Sequence, residues 1–393
     1  MSRLALTSSR VVLDDGVRDA TVVIDGDRIA EVREGIDVRG DEVALALGDD
    51  VLAPGLVDTH VHVNEPGRTD WEGFATATRA AAAGGVTTLV DMPLNCIPVT
   101  TTAVALGIKL AAAAPQLWVD VGFWGGVVPG NVADLAPLAE AGALGCKAFL
   151  VDSGIDEFPA SDASTLRAAM IELRKVGLPL LAHAELDLGA PPRGPDPRRY
   201  ADYLASRPSA WEDAAIALLI GLCRETDNRA RLWAGLADGT IDFVVTDHSP
   251  CTPALKASER GDFHGAWGGI ASLQLGLASV WTEACARGFD VARVIDWMSR
   301  RPAAFAGLGH RKGRIAPGLD ADLFVWAPEH AFDVTVELLR FRHKQSPYLG
   351  RRLRGAVRRT WLRGTIVYDA SCEGTAPHGR PLLGRGLREV RST

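Results

Sequence analysis

Two imidazoles one residue apart, His60 and His62, close the apolar run Val51-Leu52-Ala53-Pro54-Gly55-Leu56-Val57-Asp58-Thr59-His60-Val61-His62. Residues i and i+2 of a β-strand point to one face, so this pair offers two nitrogen ligands to a single point, which is how a metal site begins. An isolated His-x-His serves equally well as two solvated or core histidines, and the rest of the chain has to decide. Lys147 sits inside the apolar stretch Cys146-Lys147-Ala148-Phe149-Leu150, where a lysine is almost never fully buried unless paired. Desolvation lowers the pKa of such an amine, and a neutral amine can add carbon dioxide to give a carbamate able to bridge two cations. His183 ends the run Leu178 to Ala184, and Asp247 and His248 follow the run Ile241 to Thr246. Asp247 is read as a metal ligand and proton carrier, against the alternative of a structural cap in Thr246-Asp247-His248-Ser249-Pro250. His248 and His264 are read as supporting or loop residues.

These side chains need a frame that brings the ends of separate strands to one mouth. Residues 51–309 alternate strand-like runs with helical stretches, the pattern of βα units on a parallel sheet. Strands are expected before His60 and over Val86 to Met92, Val119 to Val128, Gly145 to Val151, Leu178 to Ala184 and Ile241 to Thr246. Helices are expected over Trp71 to Ala83, Leu135 to Ala141, Ala163 to Lys175 and Ala230 to Ala237. The fold class is therefore α/β, a TIM-like (β/α) barrel, whose functional groups gather at the C-terminal strand ends. About six strands are visible where the barrel needs eight. Between His183 and Asp247 only helices can be read, one opened by the capping box Ser209-x-x-Glu212 and running to about Glu225, the next capped by Asp227-Asn228. The expected barrel is incomplete, with a hole after Thr226, and is either open or closed with distorted pairing.

Residues 1–50 carry short alternating runs with a hairpin turn at Asp25-Gly26, and the same texture returns in Ala321 to Trp326 and Arg359 to Tyr368. Residues 1–50 together with 310–393 are expected to form one small β-sandwich module. Hydrophobic residues at 47% and charged residues at 23% fit an ordinary globular protein. A net charge of −7 argues against a nucleic-acid groove, which needs clustered cations on one face. The run Arg351-Arg352-Leu353-Arg354 with Arg358-Arg359 reads as a solvated strand edge. No stretch reads as a membrane span, since the Ala-rich region near Ala111 is broken by Lys109, Pro115 and Asp120. Met1 to Leu4 lack signal-peptide character, and six cysteines without a CxxC pair fit reduced thiols in a cytoplasmic protein.

The text Pro54 to His62 continuing through Asn64-Glu65-Pro66-Gly67-Arg68 resembles the cyclic amidohydrolases of the amidohydrolase superfamily, most closely the allantoinases. So do Asp91-Met92-Pro93-Leu94-Asn95, Gly154 to Pro159, Ala182-His183-Ala184-Glu185, Asp247 to Pro253 and Ala266 to Ile270. A dihydroorotase would show arginine where this chain has Asn64. The resemblance implies two zinc ions, one held by His60, His62, Asp247 and N-carboxylated Lys147, the other by Lys147, His183 and a further histidine in a His-Leu-Ser-Ser type sequence. This chain lacks that text, and the gap coincides with the missing strands. The resemblance also implies substrate contacts at Asn95, Ser153 and Gly154, a cyclic ureide as small-molecule substrate, and a homotetramer. The reaction implied is hydrolysis of allantoin to allantoate in purine catabolism, by zinc-activated water with Asp247 moving the proton. Two alternatives stay open: an impaired relative acting as an oligomeric or scaffold partner, and a hydantoin or dihydropyrimidine as substrate.

Overall fold

Strands β1 (Leu4–Leu13) and β2 (Gly16–Asp25) form an antiparallel hairpin, and β2 turns at Gly26, whose φ of +58° suits glycine, into β3 (Arg28–Glu34). The structure, a computed structural model, describes residues 3–189, 196–206, 208–220, 228–372 and 375–384. Strands β4 (Val43–Ala46) and β5 (Val51–Pro54) both pair parallel to β1. The chain then crosses at Gly55 into β6 (Leu56–Val61). A Cβ at Gly55 would overlap the Thr87 side chain, while the Gly55 N–H donates to the Asp322 carbonyl at 2.8 Å, so the crossing has no spare room. Gly55→Ala is expected to cost about 1–3 kcal/mol through overpacking, read as a lower urea midpoint. An unchanged midpoint would mean that Thr87 yields freely.

Helix α1 (Phe74–Ala83), stopped by Gly84 and Gly85, lies between β6 and β7 (Val86–Asp91), whose six residues are all buried. Thr102 caps α2 (Ala103–Ala113) by accepting the Ala105 N–H. Next come β8 (Asp120–Phe123), β9 (Gly125–Gly126), α3 (Leu135–Glu140) and β10 (Cys146–Phe149). Asp162 caps α4 (Ala163–Val176), Gly177 ends it in the left-handed conformation, and β11 (Leu180–His183) follows. Strands β6, β7 and β8 pair in parallel, as do β9, β10 and β11. The two sets join around Trp124, whose N–H donates to Asp91 O while Leu144 N–H donates to Phe123 O. The expected strand from Val119 to Val128 is thus two short strands, because the Trp124 indole turns inward to donate to Thr59 O at 2.8 Å.

Helices α5 (Tyr200–Ala205), α6 (Ser209–Ile220) and α7 (Asn228–Asp238) follow. The expected helix end near Glu225, the Asp227 cap and the point after Thr226 fall in 221–227, outside the described residues. Ile241 to Thr246 is not a strand. Thr246 gives its N–H and its hydroxyl to the side chain of Asp58 in β6, and Val244 N–H goes to Trp297 O, so among the described residues the only strand-like pairing with β6 here is the bridge of His248 with Val61. Among the described residues β11 pairs with β10 alone, and no strand lies between β11 and the C-terminal strands.

Helices α8 (Gly276–Ala286), α9 (Val291–Ile295) and α10 (Arg301–Phe305) lead to β12 (Leu323–Asp333), β13 (Arg352–Leu362) and β14 (Thr365–Asp369). Both chain ends enter one mixed eight-stranded sheet, in the order β14-β13-β12-β5-β1-β2-β3 with β4 on β1. Its core includes Leu6, Val11, Val22, Ile24, Leu323 and Trp361. Strand β14 pairs only with Arg359–Leu362 of β13, so among the described residues Arg352 to Arg354 pair with β12 alone and lie along a strand edge, exposed Arg352 and Arg354 alternating with buried Leu353, whereas Arg359 has a strand on both sides. No described helix is long and apolar enough to cross a membrane.

Candidate metal centre

Strand β6 carries His60 one residue before its end and His62 one residue beyond it, and alternation turns both imidazoles toward Asp247. His60 Nε2 lies 3.4 Å and His62 Nε2 3.6 Å from Asp247 Oδ1. One donor atom from each residue lies within 4.8 Å of the others. Lys147 is the second residue of β10, buried, with Nζ 5.5 Å from the centroid of the Phe149 ring. His183 ends β11 directly opposite Phe149 and stacks on that ring at 4.7 Å and 8°. Its Nε2 lies 3.1 Å from Glu185 Oε2.

Burial pushes His62 down to about 3 and His60 well below the usual histidine range, and the ammonium of Lys147 adds to both. Both rings are therefore neutral near pH 7, with lone pairs free for a cation. Burial likewise brings the Lys147 amine down to about 8, against the pull of Asp247. Asp247 stands open to solvent at the mouth, yet the surrounding protein raises its pKa while Lys147 and His183 oppose the rise. Two neutral imidazoles, a carboxylate and a lysine of reduced basicity are a donor set suited to a borderline cation such as zinc. The residues fit one such ion. For a second, Lys147 and His183 are at hand, but the described residues bring no further imidazole to them. The other described cluster with metal-ligand chemistry, Asp120, Asp320 and Asp322, is filled by the Lys312 ammonium, 2.6, 3.0 and 2.5 Å from the three.

Residues 51–190 and 212–367 match the model of the amidohydrolase family. Over 96% of its length the chain is 44% identical to the allantoinase of Streptomyces avermitilis, covering 98% of that protein. The chain belongs to the amidohydrolase family, in its allantoinase group. The allantoinase of Saccharomyces cerevisiae is 36% identical, with coverage of 96% and 98%. The L-hydantoinase (dihydropyrimidinase) of Arthrobacter aurescens superimposes with a TM-score of 0.88 over 98% of this chain and 100% of that one, at 24% identity, and so shares the fold. The comparison with the Streptomyces protein runs over 442 aligned positions, against 393 residues here. This member of the allantoinase group therefore lacks stretches that its relative carries.

The other residues singled out in the sequence play unequal parts. Asn95 adopts a left-handed φ of +68°, and its side-chain oxygen is buried without a hydrogen-bond partner. The Ser153 hydroxyl is spent on the Phe158 carbonyl at 2.6 Å, bracing its own loop. Gly154 can present only backbone, beside Trp267. His248 is fully buried and faces away from the histidine pair: Nδ1 accepts the N–H groups of Ser272 and Leu273, and Nε2 lies 3.5 Å from Glu72 Oε2. Its carbonyl accepts the His62 N–H at 2.8 Å, so it braces the backbone beneath that ring. His264 is a loop residue, edge-on to Tyr203 at 6.1 Å. Cys96, Cys146, Cys251, Cys285 and Cys372 are free thiols, and Cys223 lies outside the described residues. Sequence reasoning passed over Asp58, Asp91 and Lys109. The Lys109 ammonium, wholly buried, lies 2.7 Å from Asp91, which accepts the Val63 N–H directly after His62. Lys109 stands in an Ala-rich helix and gives no sign of burial until Asp91 is placed beside it.

Proposed function

We propose that this chain is a metal-dependent hydrolase of a cyclic amide, opening allantoin to allantoate. The observation that carries the reading is the convergence of His60, His62 and Asp247 in a chain so similar to allantoinases. His60, His62, Asp247 and N-carboxylated Lys147 would hold a zinc ion, and Lys147 with His183 would begin a second site. Zinc supplies water that ionises near a pKa of about 7 and polarises the amide carbonyl. The depressed basicity of Lys147 leaves more free amine near neutral pH to take up carbon dioxide. Asp247 takes the proton of the attacking water and gives it to the ring nitrogen as the C–N bond breaks, a task its raised pKa favours. The unpartnered Asn95 oxygen suits a ring N–H of the ureide, with the Gly154 backbone and the Ser153 loop beside it.

The architecture that goes with this reading is a (β/α) barrel over 51–309 short of two strands, plus a module from 1–50 and 310–393. Because β5 pairs inside the module's sheet, the working division falls at Gly55. A homo-oligomer completes the picture.

A second reading, a single-metal or impaired allantoinase relative, is favoured by one specific set of observations. His183 faces Glu185 rather than another imidazole, β11 pairs only with β10 among the described residues, and the relatives are longer. The deciding experiment reconstitutes the chain with zinc and measures metal content and allantoin turnover, beside a version carrying the relatives' extra segment. About one tightly held zinc per chain here and two in the extended version are expected. No zinc in either version would overturn the reading, turnover only in the extended version would establish impairment, and faster opening of hydantoin or dihydropyrimidine would reassign the substrate.

A further inference from the structure

Asp247 lies within reach of two histidines, yet the run that carries it has almost no strand pairing to hold it there. Asp58, two residues before His60 and wholly buried, makes up for this. Its Oδ1 accepts the His60 N–H at 3.1 Å. Its Oδ2 accepts the Thr246 hydroxyl at 2.5 Å and the Thr246 N–H at 3.3 Å. One carboxylate thus ties the backbone beneath His60 to the residue directly before Asp247. Thr246 is gripped from its other side as well: its carbonyl accepts the Ser272 hydroxyl at 3.0 Å, and its methyl faces Gly276, where a Cβ would come within 2.5 Å.

We propose that Asp58 is a positioning residue whose grip on Thr246 sets Asp247 opposite His60 and His62. The inference rests on the reading of Asp247 as ligand and proton carrier. A regular strand at this place would fix Asp247 by a series of backbone hydrogen bonds. Here the carboxylate accepts from three donor groups in their place, two of them on Thr246. Groups that orient metal ligands from behind commonly govern affinity as well as activity.

The test uses the full chain in five forms: wild type, Asp58→Asn, Thr246→Val, Thr246→Ser and the double variant Asp58→Asn with Thr246→Val. Zinc affinity is measured by competition with a chromophoric chelator, allantoin hydrolysis as kcat and KM, and hydrogen exchange over peptides spanning 243–248. Asp58→Asn keeps the shape but turns an N–H donor toward groups that are themselves donors, and Thr246→Val removes only the hydroxyl contact. Both are expected to weaken zinc binding by about 10- to 100-fold, to lower kcat more than they raise KM, and to speed exchange at 243–248. Thr246→Ser, which keeps the hydroxyl, should remain within about twofold of wild type, and the double variant should be no worse than Asp58→Asn alone, since both cut one link. Wild-type zinc affinity in Asp58→Asn would overturn the proposal, as would Thr246→Ser proving as harmful as Thr246→Val. Should the wild-type chain bind no zinc, the functional reading fails separately; unchanged exchange at 243–248 in Asp58→Asn would then overturn the grip itself.

Discussion

Asp247→Asn is expected to lower allantoin turnover by about 10²- to 10⁴-fold, the usual contribution of a positioned proton carrier, while leaving the fold intact. The substitution changes almost no volume, and the residue is exposed at the mouth. Asp247 also adopts a left-handed φ of +45°, a conformation that asparagine tolerates better than most residues. What is lost is the site for a proton: a carboxylate held above its ordinary pKa becomes an amide that cannot be protonated at working pH. The amide oxygen can still lie against a cation. Zinc content should therefore fall less than kcat, whereas His60→Ala and His62→Ala, which remove neutral nitrogen donors outright, should lower metal content and activity together. The check is kcat beside zinc per chain for the three variants. More than a tenth of wild-type kcat in Asp247→Asn would end the assignment of Asp247 as the proton carrier.

The parts of this site visible in the sequence are those where a local rule and the fold agree. Alternation placed His60 and His62 on one face, and the apolar neighbours of Lys147 marked it as buried, as it is. Ile241 to Thr246 reads as a strand because Ile, Val, Phe and Thr favour one. Strand pairing, however, needs neighbours, and Thr246 spends its N–H on a carboxylate 188 residues away in sequence. That contact has no local signature. The same blindness covers Arg359, whose place inside a sheet depends on β12 and β14 flanking it. Trp124, too, splits a run of strand formers for a reason found only at Thr59. Composition reports how much can be buried, whereas which polar groups go inside is settled by partners far along the chain.

Lys312 shows this most sharply, and its replacement carries the largest expected effect on stability. Its ammonium is fully buried among Asp120, Asp320 and Asp322. Arg363 reaches the other oxygen of Asp120 at 2.5 Å, and Arg311 and Arg28 reach Asp320 at 2.9 and 2.6 Å. Asp120 opens β8, Asp322 directly precedes β12, and the Asp322 carbonyl takes the Gly55 N–H, so this one cation joins the βα body to the mixed sheet. Burial opposes the charge on Lys312, but the three carboxylates outweigh it and raise its pKa. Lys312→Met fills the volume yet leaves carboxylates facing one another without their common counter-charge. Breaking a buried ion pair from one side costs about 3–5 kcal/mol, and that is the expected loss in urea unfolding at pH 7. The pH dependence follows in sign. Although burial works against it, the neighbouring cations hold Asp120 and Asp320 below the ordinary carboxylate range, so in wild type their contribution is present above the unfolded pKa and fades as the pH falls through the folded one. In Lys312→Met burial dominates, the folded pKa values rise above the unfolded ones, and protonation relieves the repulsion. The deficit of the variant should therefore shrink between pH 7 and pH 5. A deficit below about 1 kcal/mol at pH 7, the worth of a solvent-screened surface pair, or one that widens at pH 5, would show that the three carboxylates do not depend on Lys312 for their burial.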